Sequence, residues 1–160
     1  MALFEYFPNY VWNLSLAMAL ESGGQIGEIL DMSAPLRDKA GRGEDVGTAD
    51  FMAAWLAKAG TLQELAAEDV ARGRAFSAGT KLHRAALYLF VAERMQGRGH
   101  PGRAATYDKA REAFRDALRL GEENVQHVSV PLDQGSMPAL FVPGLGAIDG
   151  DEDEDHAAHP

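Results

Sequence analysis

The segment from Val125 to Val142 constrains the fold more than any other: VQHVSVPLDQGSMPALFV. Apolar residues alternate up to a turn cluster at Asp133, Gln134, Gly135 and Ser136, and a second apolar run follows. That is the pattern of a β-hairpin. The residues before it carry helical spacing, and those after Gly146 are mostly acidic. A two-stranded hairpin is marginal in water and needs further strands or a helical layer. The expected fold is mainly α: about five helices over residues 1–122, then a hairpin over 123–143 that opens an incomplete sheet. A disordered acidic tail over 144–160 completes the expected organisation.

Composition limits the functional classes. A chain of 160 residues has room for one domain and an appendage. The net charge is −9, but Asp149, Asp151, Glu152, Asp153, Glu154 and Asp155 supply six of the acids. The remainder is nearly neutral, and no basic face points to nucleic acid. Cysteine is absent, which excludes disulfides and thiolate metal sites and fits a reducing compartment. The apolar start has no basic residue before Arg37, unlike a secretory signal. Pro8, Asn9 and Asn13 leave it too short and too polar to span a bilayer. The expectation is a soluble cytoplasmic chain with no membrane partner.

Apolar spacing places the helices. The first runs from about Tyr10 to Glu21, with Val11, Leu14 and Met18 on one face and Gly23-Gly24 as a left-handed cap. The second covers Ile26 to Lys39, with a restart near Pro35. In the third, Thr48 is the N-cap, and Phe51, Trp55, Ala59, Leu62 and Leu65 or Ala66 form a stripe, with a bend or break at Gly60-Thr61. Ser77 or Thr80 opens the fourth, which carries Leu82, Ala86, Leu89 and Phe90. The fifth runs from about Arg103 to Leu120, buries Tyr107, Ala110, Phe114 and Ala117 or Leu118, and ends at Gly121. Its alternation of large and small residues with the preceding helix resembles one tetratricopeptide unit. A stable solenoid needs about three.

Several motifs dissolve in context. Gly97-Arg98-Gly99-His100-Pro101-Gly102 matches the dinucleotide fingerprint in letters, but a helix precedes it and Pro101 removes an amide. Gly144-Leu145-Gly146 is followed by carboxylates, which repel phosphate. The acidic tail lacks the glycine and glutamate positions of a calcium loop. No nucleophile elbow or zinc spacing is present, and neither His83 nor His127 has a sequence neighbour that makes it a base. No catalytic residue, metal or cofactor is assigned.

The N-terminal aromatics admit two readings. Phe4 to Asn13 sets aromatics and amides around Pro8 at the start of a helix. They form a packed staple, or they line a pocket, as aromatics with a few polar groups do. Under the second reading Tyr6, Asn9, Tyr10, Trp12 and Asn13 contact substrate.

The order FEYFPNYVWNLS, GTADFMAAW, SAGTKLHRAALYLFVAERM, YDKAREAF and VSVPLDQGSMPALFVP resembles the N-terminal part of a subgroup of α/β-hydrolases. It includes 2,6-dihydropseudooxynicotine hydrolase, fungal polyketide-shortening pigment hydrolases and fermentation-respiration switch-like esterases. The resemblance implies a helical cap that walls a pocket for a small-molecule carbonyl substrate. It also implies a serine, an acid and a histidine, and none of them maps onto this chain. This portion is then a fragment, inactive alone. Its hairpin edge recruits either a second copy or a complementing hydrolase half, through a face expected to hold Val128, Val130, Leu140 and Val142. The alternative is a tetratricopeptide-like interaction module without enzymatic activity.

Overall fold

A computed structural model describes residues 5–40, 47–121 and 124–144. Residues 41–46 and the expected acidic tail after Gly144 lie outside them. The chain divides into two units, Met1–Glu122 and Glu123–Pro160. The first is helical and the second holds an antiparallel hairpin, so the mainly α class with a terminal hairpin is the observed architecture.

The helices are α1 (Tyr10–Glu21), α2 (Ile26–Ser33), α3 (Arg37–Ala40), α4 (Gly47–Ala71), α5 (Ala75–Arg94) and α6 (Arg103–Leu120). A 3-10 turn at Ala34–Leu36 joins α2 to α3 and contains Pro35. It is tolerated there because the first turn of a helix leaves amides unpaired in any case. α5 is the central element. It packs along α4 on one side and α6 on the other, with α1 across it, while α4 and α6 share no extensive contact.

Helix ends follow from local chemistry. After α1, the Gly24 amide donates to Ala19 O at 2.8 Å and the Gly23 amide to Leu20 O at 3.2 Å. Gly23 has φ +96°, and a Cβ on Gly24 would lie 2.7 Å from Ala19 O. This Schellman arrangement satisfies the last carbonyls and needs both glycines. α4 ends the same way: Arg74 N donates to Asp69 O at 2.8 Å and Gly73 N to Val70 O at 3.0 Å.

Four expectations are corrected. α4 runs through Gly60 and Thr61 unbroken, and the Thr61 hydroxyl turns back to Ala57 O at 3.2 Å. Thr48 lies within the first turn of α4, since the helix starts at Gly47. α5 opens at Ala75, so Ser77 and Thr80 are interior positions. The face of α1 is reversed: Val11, Leu14 and Met18 are exposed, while Trp12, Leu16 and Ala19 are buried. α1 is apolar around most of its circumference, so spacing alone does not select a face. The bulk of Trp12 does.

On α4, Phe51, Trp55, Ala59, Leu62 and Ala66 are all buried and Leu65 is not. On α6, Ala110, Ala113, Ala117 and Leu118 are buried, but Tyr107 is 44% exposed. Small residues face α5 there because the helices approach closely. A Cβ on Gly79 would stand 3.0 Å from Gly121 N and 3.1 Å from Ala117 O, so a larger residue there would press on the backbone at the end of α6.

In the second unit, β1 (Gln126–Leu132) pairs with β2 (Gly135–Phe141) around Asp133-Gln134. Leu132 faces Gly135, and the register runs back to Gln126 opposite Phe141. Side chains alternate between faces along each strand. Val128, Val130 and Leu132 therefore share one face with Met137, Ala139 and Phe141. Leu140 pairs with His127 and lies on the other face, which corrects its expected grouping with the two valines. Pro131 and Pro138 fall in the same phase of the ladder, opposite Ser136 and Ser129. A two-residue turn makes the Leu132–Gly135 pair hydrogen-bonded, so both prolines occupy non-hydrogen-bonded pairs, where a missing N–H costs the hairpin nothing.

Candidate functional site

The five residues expected to contact substrate take separate structural places. Asn9 caps α1 by accepting from Trp12 N at 3.2 Å. Asn13 is buried and turns back over the preceding loop. Its Oδ1 accepts from Tyr6 N at 3.0 Å and Phe7 N at 2.8 Å, and its Nδ2 donates to Phe7 O at 2.6 Å. These bonds hold the loop so that Phe7 enters the core. Tyr10 is 68% exposed. The ring of Tyr6 lies under the Arg37 guanidinium at 4.7 Å.

Trp12 belongs to an aromatic ladder through the core. Ring centroids are 5.1 Å apart for Phe7–Trp12, 4.7 Å for Trp12–Phe51, 5.5 Å for Phe51–Trp55 and 5.4 Å for Trp55–Tyr88. Each such pair adds about 0.5–1.5 kcal/mol beyond burial. The ladder ends in a polar cluster. The Tyr88 hydroxyl donates to Glu28 Oε2 at 2.7 Å and accepts from Gln25 N at 3.1 Å. Arg84 Nε donates to the same Glu28 oxygen at 3.1 Å. Burial, and then the bond to Glu28, push the Tyr88 phenol above its ordinary pKa.

A second cluster joins the end of α4 to α5. Asp69 Oδ2 accepts from Ser77 Oγ at 2.7 Å and from Lys81 Nζ, which also donates to Ser77 Oγ at 2.8 Å. The bonds from Lys81 and then Ser77 hold the Asp69 carboxyl below its usual range. A serine beside a lysine resembles a nucleophile with its base, but a base must be neutral. Here the lysine is the cation of an ion pair with Asp69, so the cluster clamps the turn. Among the described residues no histidine bonds a serine or a carboxylate. His100 Nδ1 accepts from Gly102 N at 3.1 Å, His83 lies tilted against Phe114 at 5.7 Å, and no group of metal-ligating side chains converges among the described residues. The fingerprint-like glycines from Gly97 to Gly102 connect α5 to α6.

An open cleft lies between α1 and α5. Ser15, Met18, Ala19 and Ser22 line one side of a cleft of about 320 Å³, and Leu87, Phe90, Val91 and Arg94 line the other. Both sets follow i, i+3, i+4, i+7 spacing, so each is a single helical stripe. Ser15 Oγ lies 3.9 Å from Met95 Sδ, while Gln25 N reaches Tyr88. α1 therefore runs antiparallel to α5. Serine and alanine on the α1 stripe do not fill the space that Leu87 and Phe90 leave. None of the five expected contact residues lines this cleft. The matching spacing was present in the sequence, but nothing local pairs two helices so far apart in the chain.

No helix of the described residues is long and apolar enough to cross a membrane. No family model matches the chain, and no match to it is found among curated proteins.

Proposed function

We propose that this chain is the helical cap portion of an α/β-hydrolase, supplying a pocket wall rather than the reacting groups. The observation that carries this reading is the order of the parts: a helical unit, then a hairpin with one apolar face. Val128, Val130, Leu132, Met137 and Phe141 are exposed on that face, as expected of strands that open a sheet and await a layer. The order of motifs along the sequence supports it further. The complete enzyme is a cytoplasmic serine hydrolase acting on an acyl or β-diketone-like carbonyl, with the serine on a complementing hydrolase part. A serine-directed fluorophosphonate, applied in the native source, is expected to label a serine outside these 160 residues in the species that contains or copurifies with them. Label within this sequence, or no labelled serine in that species, overturns the reading.

A second reading rests on the arrangement of the three longest helices. α5 lies between α4 and α6, which barely meet. That layering is typical of stacked helical repeats, and it supports a tetratricopeptide-like interaction module. Copurification with partners that lack any fluorophosphonate-reactive serine would favour this alternative.

A further inference from the structure

We propose that the α1/α5 cleft binds a compact amphipathic monocarboxylate, with its apolar body on Leu87 and Phe90 and its carboxylate on Arg94. This inference stands on the helical unit alone and does not rest on the hydrolase reading. The cleft volume of about 320 Å³ lies at the small end of the roughly 300–1,000 Å³ span of ligand sites. It suits a short chain or a single substituted ring.

The lining sets the sign of the head group. Arg94 is its only charged residue, and an unpaired guanidinium presents a planar fork that matches a carboxylate. Two neighbouring arginines are already engaged, Arg84 by Glu28 and Arg103 by Glu93. Arg94 has neither an ion pair nor a hydrogen bond among the described residues. It is also the last residue of α5, where the helix carries partial negative charge. That field opposes any anion, and a single cation offsets it for a monoanion but not for a dianion such as a phosphate monoester, which needs several donors. Apart from the hydroxyls of Ser15 and Ser22, the rest of the wall is apolar, and Met18 at the rim is 41% exposed, so the site still has apolar surface to bury.

Calorimetric titration of the full chain with decanoate and with decanol tests this. Decanoate is expected to saturate at one per chain, and decanol to bind at least tenfold more weakly. Arg94→Gln is expected to weaken decanoate at least tenfold and leave decanol unchanged. Ser22→Phe, at an exposed position, is expected to abolish both by filling the cleft. Methyl shifts at Ala19 and Val91 of the unsubstituted chain locate the ligand independently of any variant. No saturable binding at millimolar decanoate, equal affinity for the alcohol, indifference to Arg94→Gln, or shifts confined elsewhere would each overturn the proposal.

Discussion

Trp12 and Ser15 stand three residues apart on α1, and the two regions they serve could hardly differ more. Around Trp12, side chains from three helices close into a ladder with Phe51, Trp55 and Tyr88. Around Ser15, the same helix faces α5 across an open cleft. Backbone geometry is common to both. Side-chain volume decides the difference: a large residue on each partner fills the gap, while serine and alanine opposite leucine and phenylalanine leave it open. Polar groups do not divide so cleanly. Beside the ladder Asn13 and Glu28 are hydrogen-bonded, yet among the described residues the Trp55 Nε1 within it is buried without a partner, and Arg94 at the cleft has none.

The contrast breaks most severely at Trp55, which is fully buried. Trp55→Ala is expected to cost about 3–5 kcal/mol in urea unfolding, enough to threaten a domain of ordinary stability. Leu87→Ala, at the half-buried cleft wall, is expected to cost less than half of that. Equal losses would erase the distinction between the two regions.

Asn13→Ala comes next. It strands two buried amides and a carbonyl, and an unsatisfied buried group costs about 1–3 kcal/mol. The Phe7 ring is expected to loosen, which would be read as a loss of its edge contact shifts in NMR spectra. Retained shifts would show that the loop holds itself.

Two pH dependences sharpen the account of the polar clamps. The Tyr88 phenol has a raised pKa, so its contribution is present below its ordinary value of about 10. It declines above that value as the unfolded chain ionises. Tyr88→Phe is expected to flatten this alkaline loss. The Asp69 carboxyl is lowered instead. Its contribution is present above the ordinary value of about 4 and declines as pH falls below it. Asp69→Asn is expected to remove that acid slope. Stability profiles unchanged by either substitution would contradict these assignments.

Much of the fold was legible because its signals were one-sided. In α4 the largest residues, Phe51 and Trp55, stand one turn apart among alanines and in line with Ala59 and Leu62, so bulk marked the buried face. The hairpin has a turn cluster between two alternating runs. α1 offered no such contrast, and its face was set by Trp12 meeting Phe51, a contact between distant segments. Tyr107, near the start of α6, rests edge-on against Phe90 at 5.9 Å and keeps the rest of its ring exposed. At the N-terminal segment, the asparagines were legible as special but not by role: Asn9 caps α1, while Asn13 binds the Tyr6 and Phe7 amides, which are fixed only once the loop folds. The cleft was illegible for a different reason, because an unfilled space is a property of two stripes and neither contains it.

The central claim is that the α1/α5 cleft has room where the core has none. A matched pair of small-to-large substitutions tests it most directly: Ser15→Leu in the cleft and Ala85→Leu in the fully buried core. Overpacking a filled core costs about 1–3 kcal/mol, and Ala85→Leu is expected to lose that much. Ser15→Leu is expected to stay within about 0.5 kcal/mol of the unsubstituted chain, or to gain stability by burying its side chain. A loss at Ser15→Leu equal to that at Ala85→Leu would contradict the account.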